Sequence, residues 1–448
     1  MASLVIESDW IVPVESPAIR GGFLAVESGK IIYVGQQLPG RFRAFPKIHL
    51  SGGAILPGLI NAHCHLELSD IDRPLEVPSG IDSSGPMVGW LGKLMARRRA
   101  ISQSGAELAE SKRDATLRGI EQAWETGTRL VVDNITAPWS GDWCERTARG
   151  FFAGARSDAL KALVPEVPIH IKPCIELVDV TELRGEQTWA FAQQADASIS
   201  QADAVCRLPV GLAPHAPYTA SKRVVAKAVA SACEPHGLVS MHLAESLEEL
   251  EWTDCRQGAF REWISPWIDS QHALHIGTID EHLRILAGAH RALIAHGNYL
   301  NLRQIDWLEP YRERMAVVYC PRTHQHFRHS KHPSELLADR NVSVFLGTDS
   351  RASNPDLSIF EEWKTACRAF PELGPRYWMA ACTTGPSIFL GMEHSAGTMR
   401  MGSKSLLTWV PLGESSISSE AELWHSMLSS CGVRPLEVQV SLIETKFA

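Results

Sequence analysis

Eight short apolar runs recur between Ala54 and Asp349, and several are followed by polar turn residues and then by a helical stretch. This alternation is typical of βα units that build a parallel sheet. Eight strands in this rhythm favour a closed (β/α)8 barrel of the TIM type over an open doubly wound sheet. The predicted strands are Ala54–His65, Arg129–Ile135, Ile169–Val178, Val210–His215, Leu238–Ala244, Ala292–His296, Ala316–Cys320 and Val342–Asp349.

Both ends of the chain have the pattern of short strands separated by turns. Glu27-Ser28-Gly29-Lys30 is a hairpin turn signal in the amino-terminal part. The termini of compact domains often lie close together, so we expect both ends to form one small β-sandwich domain. The fold class is therefore α/β, with 1–56 and 391–448 as the two parts of the β domain and 57–390 as the barrel. The predicted terminal strands are Ser3–Ile6, Trp10–Val14, Gly22–Glu27, Lys30–Val34, Ser405–Trp409 and Glu437–Leu442.

Charge and composition exclude several classes of function. The net charge is −8, which disfavours nucleic acid and anionic membranes as partners because both need a basic surface. No run approaches the roughly 20 apolar residues of a membrane span. The segment Met1–Val14 lacks the pattern of an export signal, and the ten cysteines include no C-x-x-C pair. We expect a cytoplasmic protein with reduced thiols.

Two histidines end the first predicted strand at positions i and i+2. Side chains at this spacing in a strand point to the same face, so His63 and His65 can reach one metal ion. The pair is a weak signal alone, because His324 and His326 show the same spacing. The prediction of a metal site becomes stronger because other predicted strands end in His242, His296 and Asp349.

Residues at the carboxyl ends of barrel strands converge on one face, although they lie far apart in sequence. Imidazoles and a carboxylate are ligands that suit zinc, iron(II) or manganese, with a position left for water. Glu245 follows His242 by three residues at a strand-to-helix corner. It faces the same site or, alternatively, complements the dipole of the following helix.

An ordered set of motifs covers nearly the whole chain: Pro57-Gly-Leu-Ile-Asn-Ala-His63-Cys-His65-Leu-Glu67, Ala213-Pro-His215-Ala-Pro-Tyr218-Thr219, His242-Leu-Ala-Glu245, His296-Gly-Asn298, Cys320-Pro-Arg322-Thr323 and Gly347-Thr-Asp349-Ser350. In these motifs the sequence resembles the amidohydrolase superfamily, in the branch of cytosine, guanine and S-adenosylhomocysteine deaminases and triazine hydrolases. The segments His65–Ser69 and His242–Trp252 are similar to those of aminodeoxyfutalosine deaminases.

The resemblance implies that His63, His65, His242 and Asp349 bind one divalent ion, with zinc expected first and iron(II) as the alternative. It also implies catalytic roles in proton transfer and orientation for Glu245 and His296. Asp349 would also be catalytic, by accepting a proton from water. Two-metal relatives carry a carbamylated lysine near the end of the fourth strand, where this chain has none. Lys172 on the third strand is interpreted as a structural or surface lysine.

Five residues are candidates to contact the substrate: four lie at or just beyond predicted strand ends, and Trp90, in Gly89-Trp90-Leu91-Gly92, would cap it by stacking. Each has an alternative interpretation: Tyr218 and Trp90 as packing residues, and Arg322 as the partner of a carboxylate. The substrate-binding candidates are Glu67, Trp90, His215, Tyr218 and Arg322.

The expected function is metal-dependent deamination of an amino-substituted nitrogen heterocycle, of the purine, adenosine or cytosine kind, with water as second substrate. One alternative is hydrolysis of another C–N or C–Cl bond, in a cyclic amide or a triazine. The other is an inactive barrel that serves as a binding protein. The partners are then a small heterocycle and water, with no nucleic acid and no membrane, and a homodimer is left open.

Overall fold

The amino-terminal strands form an antiparallel meander in a computed structural model that describes residues 2–78, 85–101, 105–138, 157–164, 167–201, 208–232, 237–269, 275–413 and 417–447. Strand β1 (Ser3–Ile11) pairs with β2 (Ile19–Glu27), which pairs with β3 (Lys30–Gly35). Glu27 lies opposite Lys30, and the two loop residues Ser28 and Gly29 have φ angles of 49° and 74°. The predicted hairpin turn is confirmed, because a two-residue loop with both φ angles positive fits the twist of the strands.

The small sheet is completed by segments from both ends of the chain. Strand β4 (Lys47–Pro57) runs parallel to β1, and β13 (Leu407–Pro411) and the short β14 (Arg434–Pro435) follow at the edge, in the order β14-β13-β4-β1-β2-β3. The prediction of one β domain built from both termini is confirmed. The limits 1–56, 57–390 and 391–448 stay a prediction.

The barrel consists of eight parallel strands hydrogen-bonded in sequence order. The first and last strands meet, since the Asp349 amide donates to the His63 carbonyl oxygen at 3.1 Å. The (β/α)8 architecture is confirmed, and seven of the eight strand positions agree with the prediction to within a few residues. The strands are β5 (Leu59–Cys64), β6 (Thr128–Ile135), β7 (His170–Leu177), β8 (Gly211–Pro214), β9 (Leu238–Leu243), β10 (Arg291–His296), β11 (Met315–Tyr319) and β12 (Val344–Leu346).

The predicted strand Ala54–His65 is two strands in two different sheets. The chain passes from β4 to β5 at Gly58, where a Cβ atom would lie 2.1 Å from Cγ of Arg129. Only glycine fits this close approach, and it marks the point where the small sheet ends and the barrel begins. An apolar run gives no sign of this division because both strands are buried.

Helices follow most barrel strands and cover the outside of the barrel. The described α-helices are Pro86–Ile101, Gly105–Glu125, Asp158–Leu163, Glu182–Gln201, Lys222–Ser231, Leu247–Cys255, Ala259–Ile264, Ile279–Leu286, Leu302–Leu308, Pro321–His326, Ser334–Asp339, Ile359–Ala369, Gly374–Ala380, Thr384–Phe389, Glu420–Ser429 and Leu436–Phe447. Among the described residues, none of these helices combines the length and the apolar character that crossing a membrane requires.

The prediction of a strand at Glu437–Leu442 is wrong, because this segment belongs to the helix Leu436–Phe447. Leu436, Val440 and Ile443 pack against the core of the small domain. Their spacing of four and then three residues is that of one helical face, and not the period of two of a strand.

A buried ion pair joins the barrel to the small domain. The guanidinium of Arg129, at the start of β6, donates to the Leu407 carbonyl oxygen at 2.9 Å and to the Glu437 carboxylate at 2.6 Å. Arg129 is fully buried, so these contacts tie β6, β13 and the last helix together away from water.

Candidate active site

Five of the predicted residues converge at the carboxyl ends of the barrel strands. His65 Nε2 lies 3.2 Å from His242 Nε2 and 3.5 Å from Asp349 Oδ1. His63 Nε2 lies 3.7 Å from the same carboxylate oxygen. One ligand-type atom from each of His63, His242, His296 and Asp349 lies within 4.8 Å of the others. The structure therefore brings the predicted metal ligands together around one point.

The donor set fits a divalent metal ion. Neither ring nitrogen of His63 has a hydrogen-bond partner among the described residues, although the side chain is fully buried. Burial and the neighbouring His63 lower the pKa of His65 to about 4, so its imidazole is neutral and able to ligate at neutral pH. Bare imidazole nitrogens facing one carboxylate are the arrangement that zinc or iron(II) requires.

Neighbouring groups orient these ligands. His242 Nδ1 lies 2.9 Å from the carbonyl oxygen of His215. Because a carbonyl only accepts, Nδ1 carries the proton and the bare Nε2 faces the cluster. The hydroxyl of Ser353 donates to Asp349 Oδ2 at 2.6 Å. Burial raises the pKa of Asp349, but His63 and His65 outweigh it and hold that pKa below its ordinary value.

Three non-glycine residues at these strand ends have left-handed backbone conformations. The φ angles are 54° for Ala244, 68° for His296 and 55° for Asp349. Such conformations are strained for residues with a Cβ atom, and they persist where the surrounding structure holds them in place. The strain at the ends of three strands is consistent with a functional site.

Glu245 lies at the edge of the cluster, where its Oε1 is 3.4 Å from His296 Nε2. Burial, reinforced by the charge of Asp349, raises the pKa of Glu245 well above its ordinary value. The helix Leu247–Cys255 positions Glu245. Ser246 caps the start of this helix, because its hydroxyl accepts a hydrogen bond from the Glu249 amide at 3.2 Å. The Glu249 carboxylate then accepts from the amides of Ala244 at 2.9 Å and Glu245 at 2.7 Å.

A cavity of about 580 Å³ opens over this cluster. His65, His242, Glu245, His296 and Asp349 line its floor, and apolar side chains such as Leu91, Leu94 and Trp263 line its outer part. A concave, largely apolar cavity with a few convergent polar groups is typical of a small-molecule site, and its volume is in the range for drug-sized ligands.

Three of the predicted substrate contacts line this cavity. Trp90 packs edge-on against Phe327, and its indole donates to the Ala352 carbonyl oxygen at 3.2 Å. Tyr218 stacks on Phe260 with ring centres 4.2 Å apart. His215 Nδ1 lies 2.6 Å from the hydroxyl of Thr219, and burial lowers the pKa of His215 to about 3. The role of each in binding substrate stays a prediction.

The other two predicted contacts, Glu67 and Arg322, are not among the residues that line the cavity. The Glu67 carboxylate pairs with Arg98 and with Lys112. Arg322 binds Glu362 at 2.7 Å and Asp356 at 2.8 Å. Their charged groups are held by these partners, so the geometry favours a positioning role for both over a contact with substrate.

Sequence reasoning missed Glu176, which lines the cavity from β7. Its Oε1 lies 3.6 Å from His65 Nδ1, and burial raises its pKa to about 7. A carboxylate near the end of the third predicted strand was the available signal, by the same rule that identified His242 and His296. Lys172, earlier on the same strand, bonds to the Pro209 carbonyl oxygen and does not line this cavity.

A sequence profile described as the amidohydrolase family matches residues 54–426. The chain belongs to the amidohydrolase family. This match includes the cluster at the strand ends, and the amidohydrolase family binds a divalent metal ion.

Individual relatives agree with this assignment. The chain is 25% identical over 411 residues to a 5-methylthioadenosine/S-adenosylhomocysteine deaminase of Desulforudis audaxviator, covering 90% of this chain and 83% of the relative. Among solved structures, an aminofutalosine deaminase of Helicobacter pylori in complex with methylthio-coformycin has a TM-score of 0.74 at 18% identity, with 96% and 97% of the two chains covered. An adenosine deaminase from Xanthomonas campestris with bound zinc has a TM-score of 0.70 at 21% identity, with 96% and 92% covered. At these identities the two structures show the same fold.

Proposed function

We propose that this amidohydrolase is a metal-dependent deaminase of an amino-substituted nitrogen heterocycle. The observation that carries the proposal is the convergence of His63, His65, His242 and Asp349 beside Glu245 and His296 on the floor of one cavity. The predicted metal ligands and catalytic residues keep their roles in this proposal, with one divalent ion on the first four residues, and Trp90, His215 and Tyr218 remain the proposed substrate contacts.

Zinc is the metal we propose first, with iron(II) as the alternative, because neutral imidazoles and one carboxylate suit both ions. When bound, the ion would act as a Lewis acid that makes a water molecule acidic enough to react near neutral pH. The bound zinc in the Xanthomonas campestris structure supports zinc.

The reaction is replacement of the ring amino group by oxygen. Asp349 accepts a proton from the attacking water, since its carboxylate is the ionised acceptor at the centre of the cluster. Glu245, whose raised pKa favours the protonated form, donates its proton to the ring nitrogen. The resulting carboxylate then takes the proton of the added hydroxyl group as the carbonyl forms. The proton held by Asp349 passes to the amino group, which leaves as ammonia when the C–N bond breaks. His296, which lies next to Glu245, orients the incoming oxygen by a hydrogen bond.

An adenosine-type nucleoside is the substrate class that we propose. The Desulforudis audaxviator and Helicobacter pylori relatives are deaminases of such compounds by their names. The cavity of about 580 Å³, which is lined in part by apolar side chains, suits a heterocycle that carries a substituent.

The direct experiment measures ammonia release by the zinc-loaded protein. Adenosine, 5-methylthioadenosine, S-adenosylhomocysteine, guanine and cytosine serve as substrates. We expect ammonia release with at least one nucleoside and conversion of the amino-bearing carbon to a carbonyl. Release of chloride from a chlorotriazine, or opening of a cyclic amide, without ammonia from any of the five compounds would instead support the alternative hydrolase.

The cytoplasm is the location that we propose. Each cysteine in the described part of the chain is a free thiol, which suits a reducing compartment. Assembly as a homodimer is left open.

A further inference from the structure

Among the described residues that line the cavity, Glu176 is the one carboxyl group that the proposed reaction does not use. It projects from β7 and is 7% exposed. A ligand-type atom of Glu176 lies within 4.8 Å of those of His215 and His242. Glu176 therefore lies beside the metal cluster and next to a predicted substrate contact.

The carboxyl group of Glu176 lacks a full set of partners. Its Oε1 is buried and has no hydrogen-bond partner among the described residues. The nearest ring nitrogen, His65 Nδ1, is 3.6 Å away, which is too long for a hydrogen bond. Buried polar atoms are nearly always bonded, so a partner for this oxygen is missing from the protein itself.

The cations on the same wall do not fill this gap, because Glu67 holds them. Arg98 and Lys112 both pair with the Glu67 carboxylate. Lys112 also donates to the Thr136 carbonyl oxygen at 3.0 Å and to the Ala137 carbonyl oxygen at 3.3 Å. Glu67 is therefore paired through both of its carboxylate oxygens, whereas Oε1 of Glu176 has no partner among the described residues.

We infer that Glu176 determines specificity by accepting a hydrogen bond from an O–H or N–H group of the substrate. The inference rests on the proposed function, since it assumes that the cavity holds the heterocycle. His215, whose Nδ1 contacts Thr219, lies on the same side and would contact the same part of the ligand. The substrate group that donates this hydrogen bond is either a sugar hydroxyl or a ring N–H. Both groups would bind the Glu176 carboxylate in the same way.

Calorimetric binding to the zinc-loaded protein tests the inference. A Glu245→Gln background prevents turnover during the titration. Adenosine is compared with its 2′-deoxy and 3′-deoxy analogues for the sugar hydroxyl, and adenine with 9-methyladenine for the ring N–H. In one of these sets, the ligand with the donor should bind about 10-fold or more tightly than the ligand without it.

Substitution of Glu176 should abolish this discrimination. Glu176→Ala should weaken only the donor-bearing ligand, by about 10-fold or more, and Glu176→Gln should weaken it less because its amide oxygen still accepts. Val178→Ala is the matched control, because Val178 lies two residues further along the chain and also lines the cavity. It should change the affinity of both members of a pair by the same factor.

Three results would overturn the inference: equal weakening of both members of every pair by Glu176→Ala, loss of bound metal in the Glu176 variants, or a second bound ion that depends on Glu176. Loss of metal would mean that Glu176 positions His65 instead. If Glu176 discriminates between the paired ligands but the protein with Glu245 intact releases no ammonia, only the proposed function would be overturned. Ammonia release without discrimination would remove only the inference.

Discussion

At the residue scale, burial and charge assign different protonation states to the two carboxyl groups that face the proposed reaction. The imidazoles keep the pKa of Asp349 below its ordinary value, whereas burial raises that of Glu245. These shifts favour the ionised form of Asp349 as an acceptor of protons and the neutral form of Glu245 as a donor, which is the division of roles that general acid–base chemistry needs.

The substitution Glu245→Gln tests whether Glu245 is the general acid of the proposed reaction. The amide keeps the size of the side chain but cannot transfer a proton, so we expect ammonia release to fall by at least about 10²-fold. Metal content should stay at the level of the unchanged protein, because Glu245 is not a proposed ligand. Steady-state assays and metal analysis measure both effects. Turnover close to that of the unchanged protein would remove Glu245 from the mechanism.

The substitution Ser353→Ala tests whether the hydrogen bond from Ser353 holds the Asp349 carboxylate in position. Its hydroxyl is the donor to Asp349 Oδ2, and loss of such a supporting bond reduces metal affinity or activity by about 10- to 100-fold in comparable sites. We expect a loss of this size in kcat/KM or in zinc affinity. Ser265→Ala, at an exposed position, is the control. Unchanged values in both measurements would show that Ser353 does not support the site.

At the element scale, strand ends and helix caps hold the site in position. Ser246→Ala removes the cap of the helix Leu247–Cys255, directly after Glu245. We expect a loss of about 1 kcal/mol in the free energy of unfolding, together with reduced kcat. Ser419→Ala removes the equivalent cap of Glu420–Ser429, outside the site. It should destabilise to a similar extent without changing kcat, and equal effects on kcat would contradict the role of the first cap.

The sequence predicted those parts of the fold that depend on local patterns. Apolar runs ending in His242, His296 and Asp349 identified the barrel strands and the cluster, because barrel geometry brings strand ends together. The partition at Gly58 and the helix Leu436–Phe447 were missed, since both depend on packing against distant segments. Glu176 lies near the end of the third predicted strand, where the same rule applies, but only the tertiary structure shows that it lines the cavity.

At the scale of the whole molecule, the small domain and the barrel share a buried contact between Arg129 and Glu437. Glu437→Ala leaves the buried guanidinium without its carboxylate, so we expect a loss of about 3–5 kcal/mol in unfolding free energy. Urea denaturation followed by circular dichroism measures this loss. Glu15→Ala breaks the exposed pair with Arg400 and should cost less than about 1 kcal/mol. Similar small effects would show that the buried pair does not join the two domains.

The central claim is that strand ends far apart in sequence hold one catalytic metal ion. Elemental analysis of the zinc-reconstituted protein tests it most directly. We predict about one ion per chain, and a loss of that ion in Asp349→Ala while circular dichroism shows the fold retained. A folded protein that binds no ion, or an Asp349→Ala variant that keeps a full equivalent, would contradict the account.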